Sequence, residues 1–392
     1  MQFAPLEKKD RAAFREMLVP ADGSKLCSAA LLFALSVLAI PFSHIEAVAG
    51  LYLIYAAVFY YALTRSLGSL LILAAPGAFL YGLSGLIAAV PNAYMLPAVY
   101  AALILGPVSG GFLVAQCREK RFLPLLLIPV GAFLLAAFFL SPWRALFVLL
   151  PVALALVLGH ALLTCTAQTT TLLRMATVLA IGATGAYLIW FFLQGAPGGD
   201  PFTLLTALLH RFIGELIALY EQAAAAQGMT LALTKTDVFN VGALLGNVLP
   251  GTFLALCAIL SFGIFRTFLR VLVGWGTLKR VPLRLGALTV SALCAALFIL
   301  CFLSSLIAGA TLFGTVCENL VIILQPALLL VGISALLVKE GGRRSTLSTL
   351  LLIGLLLLLW TSPSFAFSAA ALLGAVRVLM AAALTRRKKD GT

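Results

Sequence analysis

Ionisable and amide side chains are rare within the long apolar runs of this 392-residue chain, and those few are where its chemistry would be found. Glu318 and Asn319 lie close to the start of the run 312–338, and Gln325 precedes Pro326 near its middle. A carboxylate inside an apolar run costs several kcal/mol unless it is paired or wetted, so Glu318 points to binding of a cation or a proton. Pro326 has no N–H, which predicts a break in the helix and a backbone carbonyl released toward a cavity. The plainer alternative is a surface-wetted Glu and an ordinary proline kink. A second group, Asp237, Asn240 and Asn247, precedes Pro250 and Gly251 in TDVFNVGALLGNVLPG. Asn240 and Asn247 are seven apart and share a helix face, from which they can hydrogen-bond a solute or glue one helix to another. Arg377 and His160 also fall in apolar runs: Arg377 reads as a side chain snorkelling to the cytoplasmic face, and His160, which could relay a proton, reads first as a satisfied histidine at the interface.

Catalytic patterns are missing. His44, His160 and His210 are scattered, and no G-x-S-x-G, HExxH or phosphate-cradling glycine loop occurs. The seven cysteines form no C-x-x-C pair and read as small buried hydrophobes. No metal site, cofactor or enzymatic activity is expected, and any uphill transport must draw on an ion gradient or a separate ATPase.

The elements that hold these residues follow from composition. Hydrophobic residues make up 63% of the chain and charged residues 10%, with a mean hydropathy of +1.14, whereas a soluble domain is about a quarter charged. These values describe an all-α, polytopic integral membrane protein of the cell membrane. Apolar runs place helices near 26–42, 46–64, 68–89, 94–116, 122–140, 145–163, 175–193, 239–263, 285–307, 312–338, 346–361 and 364–384. With these as twelve spans, alternating loops collect 22 basic residues on one side and 3 on the other. That asymmetry predicts both termini in the cytoplasm. The formal charge of +13 then reports topology and contact with anionic headgroups, not nucleic acid. The short run 346–361 and the tight PFSH and TSPS turns leave room for a re-entrant pair.

The organisation expected is a cytoplasmic lead-in (1–25), a first bundle of about seven spans (26–193), an outer connection (194–238), a second bundle of about five spans (239–384) and a basic tail (385–392). Part of the lead-in has the pattern of an amphipathic surface helix. The outer connection carries apolar residues at three- and four-residue steps from Leu205 to Tyr220, which predicts an interfacial or cavity-capping helix with an Arg211–Glu215 pair on its surface. The stretch 265–284 reads as a cytoplasmic counterpart, whose Arg266, Arg270, Lys279, Arg280 and Arg284 suit anionic headgroups. Pro76-Gly77, Gly82 and Gly85, then Gly106-Pro107 and Ser109-Gly110-Gly111, allow either close helix packing or broken helices.

Several stretches resemble the YybS-like family of uncharacterised bacterial membrane proteins. They are the Gly-rich third and fourth runs, NVLPGTFLALCAILSFGIFRTFLR (247–270), ENLVIILQPALLLVGISALLVKEGGRRS (318–345) and the closing VRVLMAAALTRRKK. The resemblance implies a polytopic helical protein and carries no catalytic residues with it. Such families look distantly similar to the solute-binding subunits of energy-coupling-factor transporters, which meet a membrane partner through an Ala-x-x-x-Ala pattern matched here by Ala30 and Ala34. That similarity implies a separate ATPase and coupling subunit as partners.

The function expected from these features is membrane transport, or solute binding for a transporter. Glu318 would take a cation or proton, and Asn319, Gln325, Asn240 and Asn247 would hydrogen-bond a small solute. The alternative is a non-catalytic envelope scaffold that recruits partners through its basic cytoplasmic loops.

Overall fold

An isolated segment in lipid satisfies its backbone N–H and C=O groups only by bonding to itself, so apolar runs of this length fold as helices. The computed structural model describes residues 19–64, 67–86, 92–116, 122–140, 145–193, 200–226, 235–278, 281, 288–309, 311–337 and 346–390. Among them are thirteen α-helices and no strand. In chain order these are α1 (Gly23–Phe42), α2 (Glu46–Thr64), α3 (Leu67–Leu86), α4 (Met95–Gln116), α5 (Phe122–Phe139), α6 (Leu149–Thr164) and α7 (Gln168–Leu193). They continue with α8 (Pro201–Ala226), α9 (Lys235–Gly274), α10 (Ala292–Ala308), α11 (Leu312–Leu337), α12 (Thr346–Thr361) and α13 (Pro363–Asp390).

Each apolar run expected from the sequence contains a helix, and α8 lies in the long connection 194–238. Seven stretches are long and apolar enough to cross a bilayer: α1, α4, α6 with its preceding 3-10 turn, α7, the Gly246–Gly274 part of α9, and most of α11 and α13. The protein is therefore a helical membrane protein. Several boundaries differ from expectation: α10 begins at Ala292, with 288–291 outside it, not near 285, and α13 runs on to Asp390 through most of the tail expected at 385–392. Helix α7 begins at Gln168, not near 175, and its threonine hydroxyls are satisfied on carbonyls four residues back, Thr171 on Ala167 (3.1 Å) and Thr177 on Leu173 (2.9 Å). Helix α9 runs on to Gly274, so Arg266 and Arg270 belong to it and not to a separate surface helix. It stops where Gly276 turns to φ +69° and Thr277 N–H returns to Leu272 C=O (3.1 Å).

Prolines do not divide the helices either. Pro107, Pro250 and Pro326 each lie inside a continuous helix, so the break expected at Pro326 is absent. Losing one ladder bond costs less than parting the backbone from its remaining bonds where no water replaces them.

The chain divides into two compact units, with α9 contributing to both. In the unit formed by residues 6–246 and 260–285, α4 is the central element, with Leu105, Val108 and Phe112 buried. It packs most extensively against α6 and α1. A methyl group placed on Gly110 would fall 2.7 Å from both Ala155 Cβ and Phe33 Cε2, and one on Gly111 would fall 2.8 Å from Leu158 Cβ. Absent side chains thus set how closely these helices approach. At one end of α4, the Gln116 amide accepts from Ala21 N–H (3.1 Å), Lys25 Nζ donates to Trp275 C=O (2.9 Å), and Trp275 meets Phe112 edge-on at 4.4 Å. At the other end, Asn92 Nδ2 donates to the carbonyls of Ser43 (3.1 Å) and His44 (2.8 Å), closing the turn after α1.

The unit formed by 247–259 and 286–392 is built on α10, α11 and α13, around Ala295, Phe298, Cys301, Cys317, Leu328, Ala371 and Ala375. Helices α11 and α13 cross at Gly332 and Gly374. A methyl group on Gly332 would overlap the Ala370 carbonyl oxygen, and one on Gly374 the Leu328 carbonyl oxygen. Substituting Gly332 or Gly374 by Ala is expected to lower the stability of this unit by about 1–3 kcal/mol through overpacking. The comparison is Gly354→Ala on α12, where nothing lies within 4 Å and the change is expected to be neutral or slightly stabilising. Thermal unfolding in detergent separates the two cases, and equal midpoints would refute the crossing as the reason these glycines are needed.

Candidate functional site

The residues nominated by sequence on 247–251 and 318–325 fall in the same unit, and the structure brings part of the set together. Asn319, seven residues into α11, reaches the stretch of α9 around Pro250. Its Oδ1 accepts from Gly251 N–H (2.6 Å), and its Nδ2 donates to Asn247 C=O (2.9 Å) and to Thr315 C=O one turn back on its own helix (2.9 Å). Gly251 N–H and Asn247 C=O are the two groups that a helix joins to each other, so the amide offers a second partner to both ends of one ladder step. The neighbouring step is weaker still, since Pro250 has no N–H for the carbonyl four residues before it. Contact this close requires glycine: a methyl group on Gly251 would fall 2.9 Å from both Asn319 Cα and its carbonyl oxygen.

The amide of Asn319 has two N–H donors, and both are engaged. It acts as a clip between helices, the gluing role open to any membrane asparagine. Asn247 contributes its backbone carbonyl, while its side chain is exposed. Asn240 lies within α9, but its side chain is outside the described residues, as are Lys279 and Arg280. Glu318, beside the clip, presents an exposed carboxylate. Gln325, two turns further on, makes a long 3.4 Å contact from Nε2 to Ser368 Oγ on α13 and is half-buried. Arg377 is exposed on α13. His160 is exposed at the end of α6, where Thr164 Oγ1 donates to its carbonyl (2.7 Å).

In the other unit, Ala30 and Ala34 are half-buried on α1. Arg266 lies over the Phe262 ring, 5.2 Å from its centroid, while Arg270 is within hydrogen-bonding reach of the Tyr60 hydroxyl on α2. The Arg211–Glu215 pair expected on α8 is present at 3.0 Å. The glycine-rich signal divides: Gly106, Gly110 and Gly111 on α4 are tightly packed, whereas Gly77, Gly82 and Gly85 on α3 have nothing within 4 Å. A groove of about 660 Å³ bordered by α1, α2 and α5 is lined by apolar side chains with Tyr52 and Tyr55, and holds no charged group. No group of three or more His, Cys, Asp or Glu side chains gathers among the described residues.

Two polar features escaped the sequence reading. Gln168 is 0% exposed at the start of α7, with neither Nε2 nor Oε1 partnered among the described residues. The only signal was a polar run, CTAQTTT, that resembles a loop. Ser36, buried on α1, donates to Leu32 C=O (2.7 Å) and pairs with the Tyr52 hydroxyl on α2 (2.9 Å). Serine is too common in membrane helices for that role to be read from its position.

Comparison of the chain with protein-family models, with curated proteins and with solved structures finds no match in any of the three.

The clip makes a graded prediction. Asn319→Ala is expected to cost about 1–2 kcal/mol in thermal unfolding, since Gly251 N–H and Asn247 C=O can still bond each other. Asn319→Asp is expected to cost more, because a carboxylate has no proton for the carbonyls of Asn247 and Thr315. Asn247→Ala, which keeps the carbonyl, is expected to change little. Equal midpoints for the Asn319→Asp variant and the unaltered protein would refute the clip.

Proposed function

We propose that this chain is a membrane transport protein, or the solute-binding membrane subunit of a transporter, crossing the cell membrane twelve times with both termini in the cytoplasm. The observation that supports this reading most is an exposed carboxylate inside an apolar helix, Glu318, adjacent to the place where α9 is deprived of one backbone donor by Pro250 and held by a side-chain clip. Intramembrane carboxylates persist where they bind ions or protons, and transporters place such groups beside weakened stretches of helix. Glu318 takes the cation or proton, and Gln325 contributes hydrogen bonding to the solute. The Asn247 side chain, exposed on the neighbouring helix, stands there for the same purpose. Asn319 holds the geometry from the clip.

The charge asymmetry of the loops supports the sidedness, and the polar first turns of α7 and the long α9 are compatible with it. Ala30 and Ala34, half-buried on α1, provide a small-residue face for a membrane coupling subunit, which a separate ATPase would drive. The YybS-like resemblance fits this reading in layout.

Affinity purification from native membranes in mild detergent, with mass spectrometry of accompanying proteins and small molecules, tests the proposal. A stoichiometric solute, or an ATPase with its coupling subunit, is the expected result. Glu318→Gln is expected to abolish retention or uptake of that solute while the protein stays folded. Unchanged uptake in that variant would remove Glu318 from the mechanism, and recovery of envelope or division proteins without solute would replace transport with a scaffold role.

A further inference from the structure

Arg266 and Arg270 stand one turn apart on α9, within the unit that also contains α2. Arg266 is half-buried, and its guanidinium carbon lies 5.2 Å from the centroid of the Phe262 ring, one turn toward the N-terminal end of the helix. Its side chain therefore runs away from the helix end at Gly274, eight residues or about 12 Å further along. On the sidedness proposed above, that direction leads into the bilayer. Arg266 is not an arginine that escapes to cytoplasmic water along its own stem. Arg270 is reached by the hydroxyl of Tyr60, whose side chain is 1% exposed on α2 and also touches Thr267.

Two guanidiniums one turn apart repel each other, and a cation in an apolar segment requires a counter-charge. Among the described residues no carboxylate supplies it. The ion pairs found there are Lys25 with Asp22 and Arg211 with Glu215. What is missing among the described residues is an anion able to accept from two guanidinium forks, and a phosphate diester has that geometry. Exposed apolar side chains occur on the same two helices, Val58 at 65% on α2 and Val273 at 45% on α9. Acyl chains would cover such surfaces, whereas a free phosphate would leave them bare.

We propose that Arg266 and Arg270, the latter held by the buried Tyr60 hydroxyl, form a binding site for the phosphate of an anionic phospholipid of the inner leaflet. The leaflet rests on the proposed sidedness; the binding itself does not, and it is measured without reference to transport. The lipid neutralises the arginine pair.

Native mass spectrometry of the full chain, exchanged into micelles containing phosphatidylglycerol or phosphatidylcholine, reads the site directly, with thermal unfolding in nanodiscs of the same lipids alongside. The protein is expected to retain phosphatidylglycerol selectively and to melt higher in its presence. Arg266→Gln combined with Arg270→Gln is expected to reduce that retention by about tenfold or more and to abolish the lipid-dependent shift. Tyr60→Phe, which keeps the ring and its packing, is expected to weaken retention with unchanged melting in phosphatidylcholine, and it carries the test if the double variant does not fold. Equal retention of phosphatidylglycerol by these variants would overturn the site. Full stabilisation by millimolar inorganic phosphate in pure phosphatidylcholine discs would overturn a lipid as its occupant.

Discussion

Helix packing in this protein depends on the approach of backbone to backbone. Lipid tails are as apolar as the side chains they would replace, so helices gain little by hiding leucine from them and gain mainly by fitting together. The glycines of α4 against α6 and α1, and the Gly332–Gly374 crossing of α11 and α13, provide that fit in the two units. At each crossing a Cβ would strike a neighbour. Dispersion contacts accumulate only where such obstacles are removed.

Polar side chains follow the same constraint. With no water to accept them, Ser36, Ser109, Thr171 and Thr177 donate to carbonyls of their own helices. Asn92 and Asn319 go further and bond the backbone of a neighbouring segment. A side-chain amide is suited to this, because it donates and accepts at once and so meets a C=O and an N–H of one ladder step. The prolines of α4, α9 and α11 are accommodated within continuous helices. A weakened ladder is therefore present at Pro250 without a gap in the helix, and Glu318 stands next to the residue that bridges it.

Charge is handled differently in the parts of the molecule. On α8, Arg211 and Glu215 pair at the surface, an arrangement worth a few tenths of a kcal/mol. Lys25 meets both Asp22 and the carbonyl of Trp275, where α9 ends, and so matches a cation to the negative end of that helix. Arg266 and Arg270 have an aromatic face and a phenol beside them. Those groups orient a guanidinium without neutralising it.

Class and helix positions were legible in the sequence because helix formation in lipid is local: each run closes its own hydrogen bonds, so hydropathy alone locates it. The Arg211–Glu215 pair was legible for the same reason, being a matter of spacing on one helix. Packing faces were not, since helices that are apolar all round carry no periodic mark of which side is buried. The glycines of α3 and α4 look alike in sequence, yet those of α4 meet neighbouring side chains and those of α3 meet open space. Asn319 and Gly251 are 68 residues apart, and nothing at either position announces the other. The polar start of α7 hid a buried Gln168, and the basic stretch after 264 hid the continuation of α9, because side-chain polarity imitates a loop when the partners that satisfy it are unseen. Only the tertiary structure decides such pairings, since each depends on which distant backbone comes close enough to bond.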